Sequence, residues 1–133
     1  VSAMSQERTK AEIDKFIMER IDSVPHLEAL LLLWHSRPTQ WAPDDMAKRL
    51  FVRAEFARDI LQDLVRQNLA VTVRDASGND QYEYKTGEND ALIDSVDLSY
   101  RQELVRISNM IHTKASAAIR EFARAFRLTK ERE

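Results

Sequence analysis

Apolar positions recur along this chain at helical spacing for most of its length, and one stretch stands apart. Leu27 to Trp34 (LEALLLLW) contains a single polar residue, Glu28. A segment apolar nearly all the way round is stable only inside a core, which predicts the central helix of a small helical domain from about Pro25 to His35. Ahead of it, Ile13, Phe16, Ile17 and Ile21 fall on one helical face, and Thr9 with Glu12 has the spacing of a capping box. An amphipathic first helix over roughly 10 to 23 is therefore expected, with Ser23 and Pro25 punctuating the start of the next. Arg37, Pro38 and Thr39 form the loop after the central helix.

Pro43, Asp44 and Asp45 suit a helix start, because proline gives up no needed N–H there and carboxylates complement the positive end of the dipole. A short helix over about 43 to 50 follows, with Met46, Ala47 and Leu50 inward. Phe51 to Arg53 form a tight turn, and a second helix spans about 54 to 67 with Ala57, Ile60, Leu61 and Leu64 as its inward stripe. Two short helices joined by a few residues make a helix-turn-helix unit. Leu69 to Arg74 (LAVTVR) then reads as a strand, Ala76 to Asn79 as a turn, and Gln81 to Lys85 as a second strand with Tyr82 and Tyr84 on one face, together a hairpin.

A helix-turn-helix followed directly by a hairpin resembles the winged-helix domain of bacterial transcriptional regulators, including the MarR-like ones. The resemblance covers residues 25 to 86 and is strongest from Met46 to Leu69. There the small residue of the first helix is Ala47, the apolar turn residues are Leu50 and Val52, the recognition-helix stripe is Ala57, Leu61 and Leu64, and the stop is Asn68 before Leu69. Phe51 stands where glycine is common in the turn, and Arg53 where a Ser or Thr cap is common; Phe51 reads either as packing on the N-terminal helix or as marking a protein contact surface. Asn68 replaces the stopping glycine and can adopt the left-handed conformation. The fold class implied is mainly α: a three-helix core with a β-hairpin wing, plus an N-terminal helix and a long C-terminal helical arm. The corresponding division is 1–24, 25–86 and 87–133.

Carried over residue by residue, the resemblance makes Glu55, Phe56, Arg58, Asp59 and Gln62 the groove-facing positions. Arg58 and Gln62 would read guanine and adenine edges, while Lys48, Arg49, Arg53, Arg74 and Lys85 would bind phosphates. The implied partner is double-stranded DNA. Glu55 and Asp59 oppose that reading, and residues 43 to 85 hold 7 basic against 8 acidic side chains, short of a strongly basic footprint. The charges read equally as a solvated helix with Arg58 and Asp59 in ordinary surface pairs, and the alternative function is a winged-helix module whose near-neutral recognition face, with Phe56 and Glu55, binds another protein.

Charge is distributed unevenly. Residues 1 to 100 hold 12 Lys and Arg against 18 Asp and Glu, whereas 101 to 133 hold 8 against 4. The basic tail is either an electrostatic footprint or a solvated helix face. From Glu88 to Glu133 there is neither glycine nor proline, and Leu92, Val96, Tyr100, Leu104, Ile107, Ile111, Ala115, Ala118 and Phe122 form one stripe. One reading is an arm that pairs with its own copy, giving a homodimer through the C-terminal and N-terminal helices. Another is a break near Thr113 to Ser116, with Ala118 to Leu128 folding back onto the first helix. Ile119, Phe122, Ala123 and Phe126 supply a packing face in both, with Arg120, Arg124 and Arg127 outward.

Catalytic chemistry is sparse. Cysteine is absent, which removes disulfides, thiolate metal sites and a cysteine nucleophile and suits a reducing cytoplasm. His26, His35 and His112 form no paired-ligand motif, and His26 and His35 read as polar residues at helix ends. Only Gly78 and Gly87 exist, so there is no glycine-rich phosphate loop or nucleophile elbow. Trp34, Trp41, Tyr82 and Tyr84 suit core and hairpin packing, or alternatively a small-molecule pocket. The expectation is a non-enzyme without metal or cofactor. No apolar run approaches the ~18 residues of a membrane span, so the chain reads as a cytoplasmic protein without membrane association. Val1 to Ala3, ahead of Met4, read as a leftover of expression.

Overall fold

The computed structural model describes residues 9–131. The first eight residues of the N-terminal segment, Val1 to Ala3 among them, and the last two of the arm lie outside the described residues. Helix α1 is Lys10–Arg20. The Thr9 hydroxyl accepts from the Glu12 N–H at 3.1 Å, and Ile13, Phe16 and Ile17 are buried. The helix stops three residues earlier than its pattern predicts, because Ile21 is already extended and Ser23 is engaged in capping the next helix. The Ser23 hydroxyl accepts from the His26 N–H at 3.3 Å.

Helix α2, Val24–His35, is the hub. Leu27, Ala29, Leu30, Leu31, Leu33 and Trp34 are all buried, and elements from both halves of the chain pack around them. Each fully buried leucine contributes about 1.5–3 kcal/mol, so the all-round apolar pattern has a direct energetic reason.

Helix α3 is Pro43–Leu50 and helix α4 is Ala54–Arg66, with Met46, Ala57, Ile60, Leu61 and Leu64 closing against α2. Phe51 joins them at φ 57°, ψ 45°, in the left-handed region that glycine occupies most easily. Asn68, past the end of α4, sits at φ 64°. Strands β1 (Ala70–Arg74) and β2 (Asp80–Tyr84) pair antiparallel, with Ala70 opposite Tyr84 and Thr72 opposite Tyr82. Their turn is tied by the Asp75 carboxylate, which accepts from the N–H groups of Ser77 and Asn79 at 2.9 Å each. Trp41 adds a short third rung: its N–H donates to the Tyr82 carbonyl at 2.7 Å and its carbonyl accepts from the Tyr82 N–H at 2.9 Å. Trp34 meets Tyr84 edge to face at 5.1 Å. The aromatics thus fasten the hairpin to the core.

The arm consists of α5 (Asp90–Gln102) and α6 (Leu104–Glu131). The chain breaks at Glu103, and α6 runs unbroken through Thr113 to Ser116, where a break had been an expected possibility. Tertiary ion pairs define the joint. Arg106 donates to Glu103 at 2.5 Å and to both carboxylate oxygens of Asp14 at 3.0 and 3.2 Å, while Lys10 pairs with Glu103 at 3.3 Å. The change of direction seats Ile107 and Ile111 in the core and leaves Leu104, expected in the stripe, half exposed. Beyond Ala115 the helix leaves the body. Ile119, Phe122 and Phe126 are 68%, 74% and 62% exposed, so residues 118 to 127 do not fold back onto α1.

Candidate nucleic-acid interface

The face of α4 opposite its buried stripe presents Glu55, Arg58, Asp59 and Gln62 to solvent. Arg58 and Gln62 are one turn apart on that face, as a 3.6-residue period requires once Ala57, Ile60, Leu61 and Leu64 point inward. Arg53 occupies the N-cap position but makes no side-chain capping bond; its guanidinium pairs with Glu55 at 3.5 Å.

Arg74 ends β1 beside the wing turn and pairs with Asp80 at 3.4 Å. Arg58 and Arg74 lie on one concave surface, lined also by Pro43, Asp44, Asp75 and the wing residues from Gly78 to Tyr82. The surface therefore joins the start of α3, the outward face of α4 and the hairpin. Both the Arg53 and the Arg74 ion pairs are well exposed, where such pairs are weak and a stronger anion can replace the carboxylate. Among the described residues neither Arg58 nor Asp59 makes an ion pair, so the ordinary surface pairing considered for them is not what the fold forms.

The remaining sequence candidates are all exposed but spread around the domain. Lys48 borders a second shallow surface with Asp44, Phe51, Val52 and Ala54. Arg49 turns away, with its guanidinium 5.7 Å from the Trp41 ring and beside His35 and Tyr100. Phe56 leans toward α2, edge-on to His26 at 6.2 Å. Lys85 lies at the base of the hairpin and donates to the Asn68 side chain. Phe51 is 94% exposed and does not pack on α1. Arg58 and Arg74 thus share the concave α4–wing surface, with Glu55, Asp59 and Gln62 on the same outward face of α4.

Two polar arrangements have no counterpart in local sequence spacing. His26 is buried at the start of α2, with Nδ1 2.5 Å from the Ser23 hydroxyl and Nε2 2.8 Å from the Asp63 carboxylate on α4. Asp22 stands close to both. Burial holds the His26 imidazole below the usual histidine value, against the pull of Asp22 and with Lys114 adding to the lowering. On the other side of α2, His35 donates to buried Asp97 at 2.9 Å, and Arg101 donates to the same carboxylate at 3.0 Å. Partners 37 and 62 residues away in sequence leave no short-range signal.

No helix among the described residues is long and apolar enough to cross a membrane. No family model matches the sequence, and no curated protein matches it. Solved structures do match the fold. The S. aureus MepR–DNA complex superposes with a TM-score of 0.53 at 15% identity, covering 93% of this chain and 91% of that one. MepR described as a transcription regulator of the Staphylococcus aureus multidrug efflux pump MepA gives 0.51 at 15%, covering 98% and 93%. A MarR family protein from Bacillus stearothermophilus gives 0.52 at 15%, covering 98% and 86%. These superpositions run through the arm as well as the winged core, and the chain shares the winged-helix fold of these structures.

Proposed function

We propose that this chain is a dimeric, non-enzymatic DNA-binding regulator in which α4 enters the major groove and the wing lies on the backbone. The observation that carries the reading is the shared concave surface of Arg58 and Arg74. It sets a base-reading side chain of α4 beside a phosphate-binding side chain of the hairpin. The DNA-bound state of the fold neighbour MepR supports it at the level of fold. Dimerisation is supported by the exposed apolar residues of α6, which need a partner helix, and a two-fold pair would present two α4 helices about one DNA turn apart.

The division of labour is tested by two substitutions. Arg58→Ala should relax selectivity between duplex sequences, whereas Arg74→Ala should weaken all of them alike and reduce the salt dependence. Equal, sequence-independent losses for both would remove α4 as the reading helix. A second reading, a module that docks on another protein, is favoured by one observation: the aromatic ring of Phe51 stands almost wholly in solvent beside the α3–α4 turn. Capture of a protein partner that is lost in Phe51→Ala, with no DNA binding at low salt, would select it.

A further inference from the structure

We propose that Asp22, His26 and Asp63 form a binding site for a first-row divalent transition-metal ion of the Zn2+ type. One potential ligand atom from each of the three lies within 4.8 Å of the other two, so a small movement of the exposed Asp22 side chain would bring them to the ~3.4 Å separation of ligands around one tetrahedral ion. The set is one imidazole nitrogen and two carboxylate oxygens. Imidazole selects zinc, cobalt and nickel over magnesium and calcium, and three protein ligands leave a position open for water or an exogenous ligand.

The surroundings favour ligation by His26. Its Nε2 already faces Asp63 at 2.8 Å, and its Nδ1 is held by Ser23 at 2.5 Å. In the metal-free arrangement Nε2–H donates to Asp63 and the Ser23 hydroxyl donates to Nδ1. With the ion bound, Nε2 offers its lone pair, the ring proton sits on Nδ1, and the Ser23 oxygen accepts it. Serine can serve in both directions, so the second shell needs no rearrangement. Asp63 keeps its other oxygen on Arg66, which orients the carboxylate.

One competitor is in place. The Lys114 ammonium lies 3.7 Å from Asp22 and donates to the Ile21 carbonyl at 2.7 Å. Asp22 itself is exposed, so its carboxylate can exchange the ammonium for a divalent ion without unfolding anything. An ion here would clamp the α1–α2 connection and the first turn of α2 to the C-terminal half of α4. Local spacing in the sequence offers only Asp22 and His26, four residues apart; Asp63, 37 residues beyond His26, joins them only through the packing of α4 on α2.

The test uses the full chain freed of metal, titrated with Co2+ by its visible absorption and with Zn2+ by calorimetry. The expected result is one ion per chain, with affinity reduced at least about tenfold in both Asp22→Asn and His26→Gln and unchanged in His112→Gln. Circular dichroism establishes that the exposed Asp22→Asn substitution leaves the fold intact. Absence of binding for both ions overturns the site, as does binding that Asp22→Asn and His26→Gln leave untouched.

Discussion

Nε2 of His26 on α2 and the carboxylate of Asp63 on α4 meet at 2.8 Å, so the buried hub helix is tied directly to the helix we assign to the major groove. Burial lowers the His26 pKa below its ordinary value of 6.5. The unfolded chain therefore takes up a proton more readily than the folded one. This contribution to stability is complete above about pH 6.5 and is lost as the pH falls below it. Urea unfolding midpoints measured between about pH 7.5 and 5.5 should fall with pH, and His26→Gln should flatten that dependence. An unchanged slope in the variant would mean that another group is responsible.

Phe51 holds a left-handed backbone conformation while its ring touches almost nothing. A non-glycine residue there costs about 1–2 kcal/mol, partly offset by the greater freedom glycine would have in the unfolded chain. Phe51→Gly should thus stabilise the fold by about 0.5–1 kcal/mol, read as a higher denaturant midpoint with unchanged slope. Destabilisation would show that the ring makes contacts in solution.

The proposed dimer rests on the exposed apolar side chains of α6. Replacing Phe122 and Phe126 together with Glu should convert the protein to a monomer in sedimentation experiments while leaving the unfolding of the winged core intact. A dimer of unchanged affinity would place the interface elsewhere on the chain.

The winged core was legible because its signals are local. The inward stripe of α4 follows from the 3.6-residue period, the Asn68 stop from its tolerance of positive φ, and the hairpin from alternation around a tight turn. The joint at Glu103 was not legible, since it depends on Arg106 reaching Asp14 in α1, 92 residues away, in a stretch with no glycine or proline to mark it. Nor does sequence alone show where side chains at the edge of a helical face turn. Arg49 stacks toward Trp41 and Phe56 toward His26, while Arg58 and Arg74 share a surface only because the hairpin docks beside α4. The His26 and His35 pairs depend likewise on which helices pack together.

Selection of binding sites from a random pool of duplex DNA, at low and at moderate salt and with the oligomeric state determined on the same sample, tests the central claim most directly. The account predicts that a dimer enriches a two-fold symmetric site and that affinity falls steeply with salt as phosphate contacts release counterions. Failure to enrich any sequence even at low salt would contradict it.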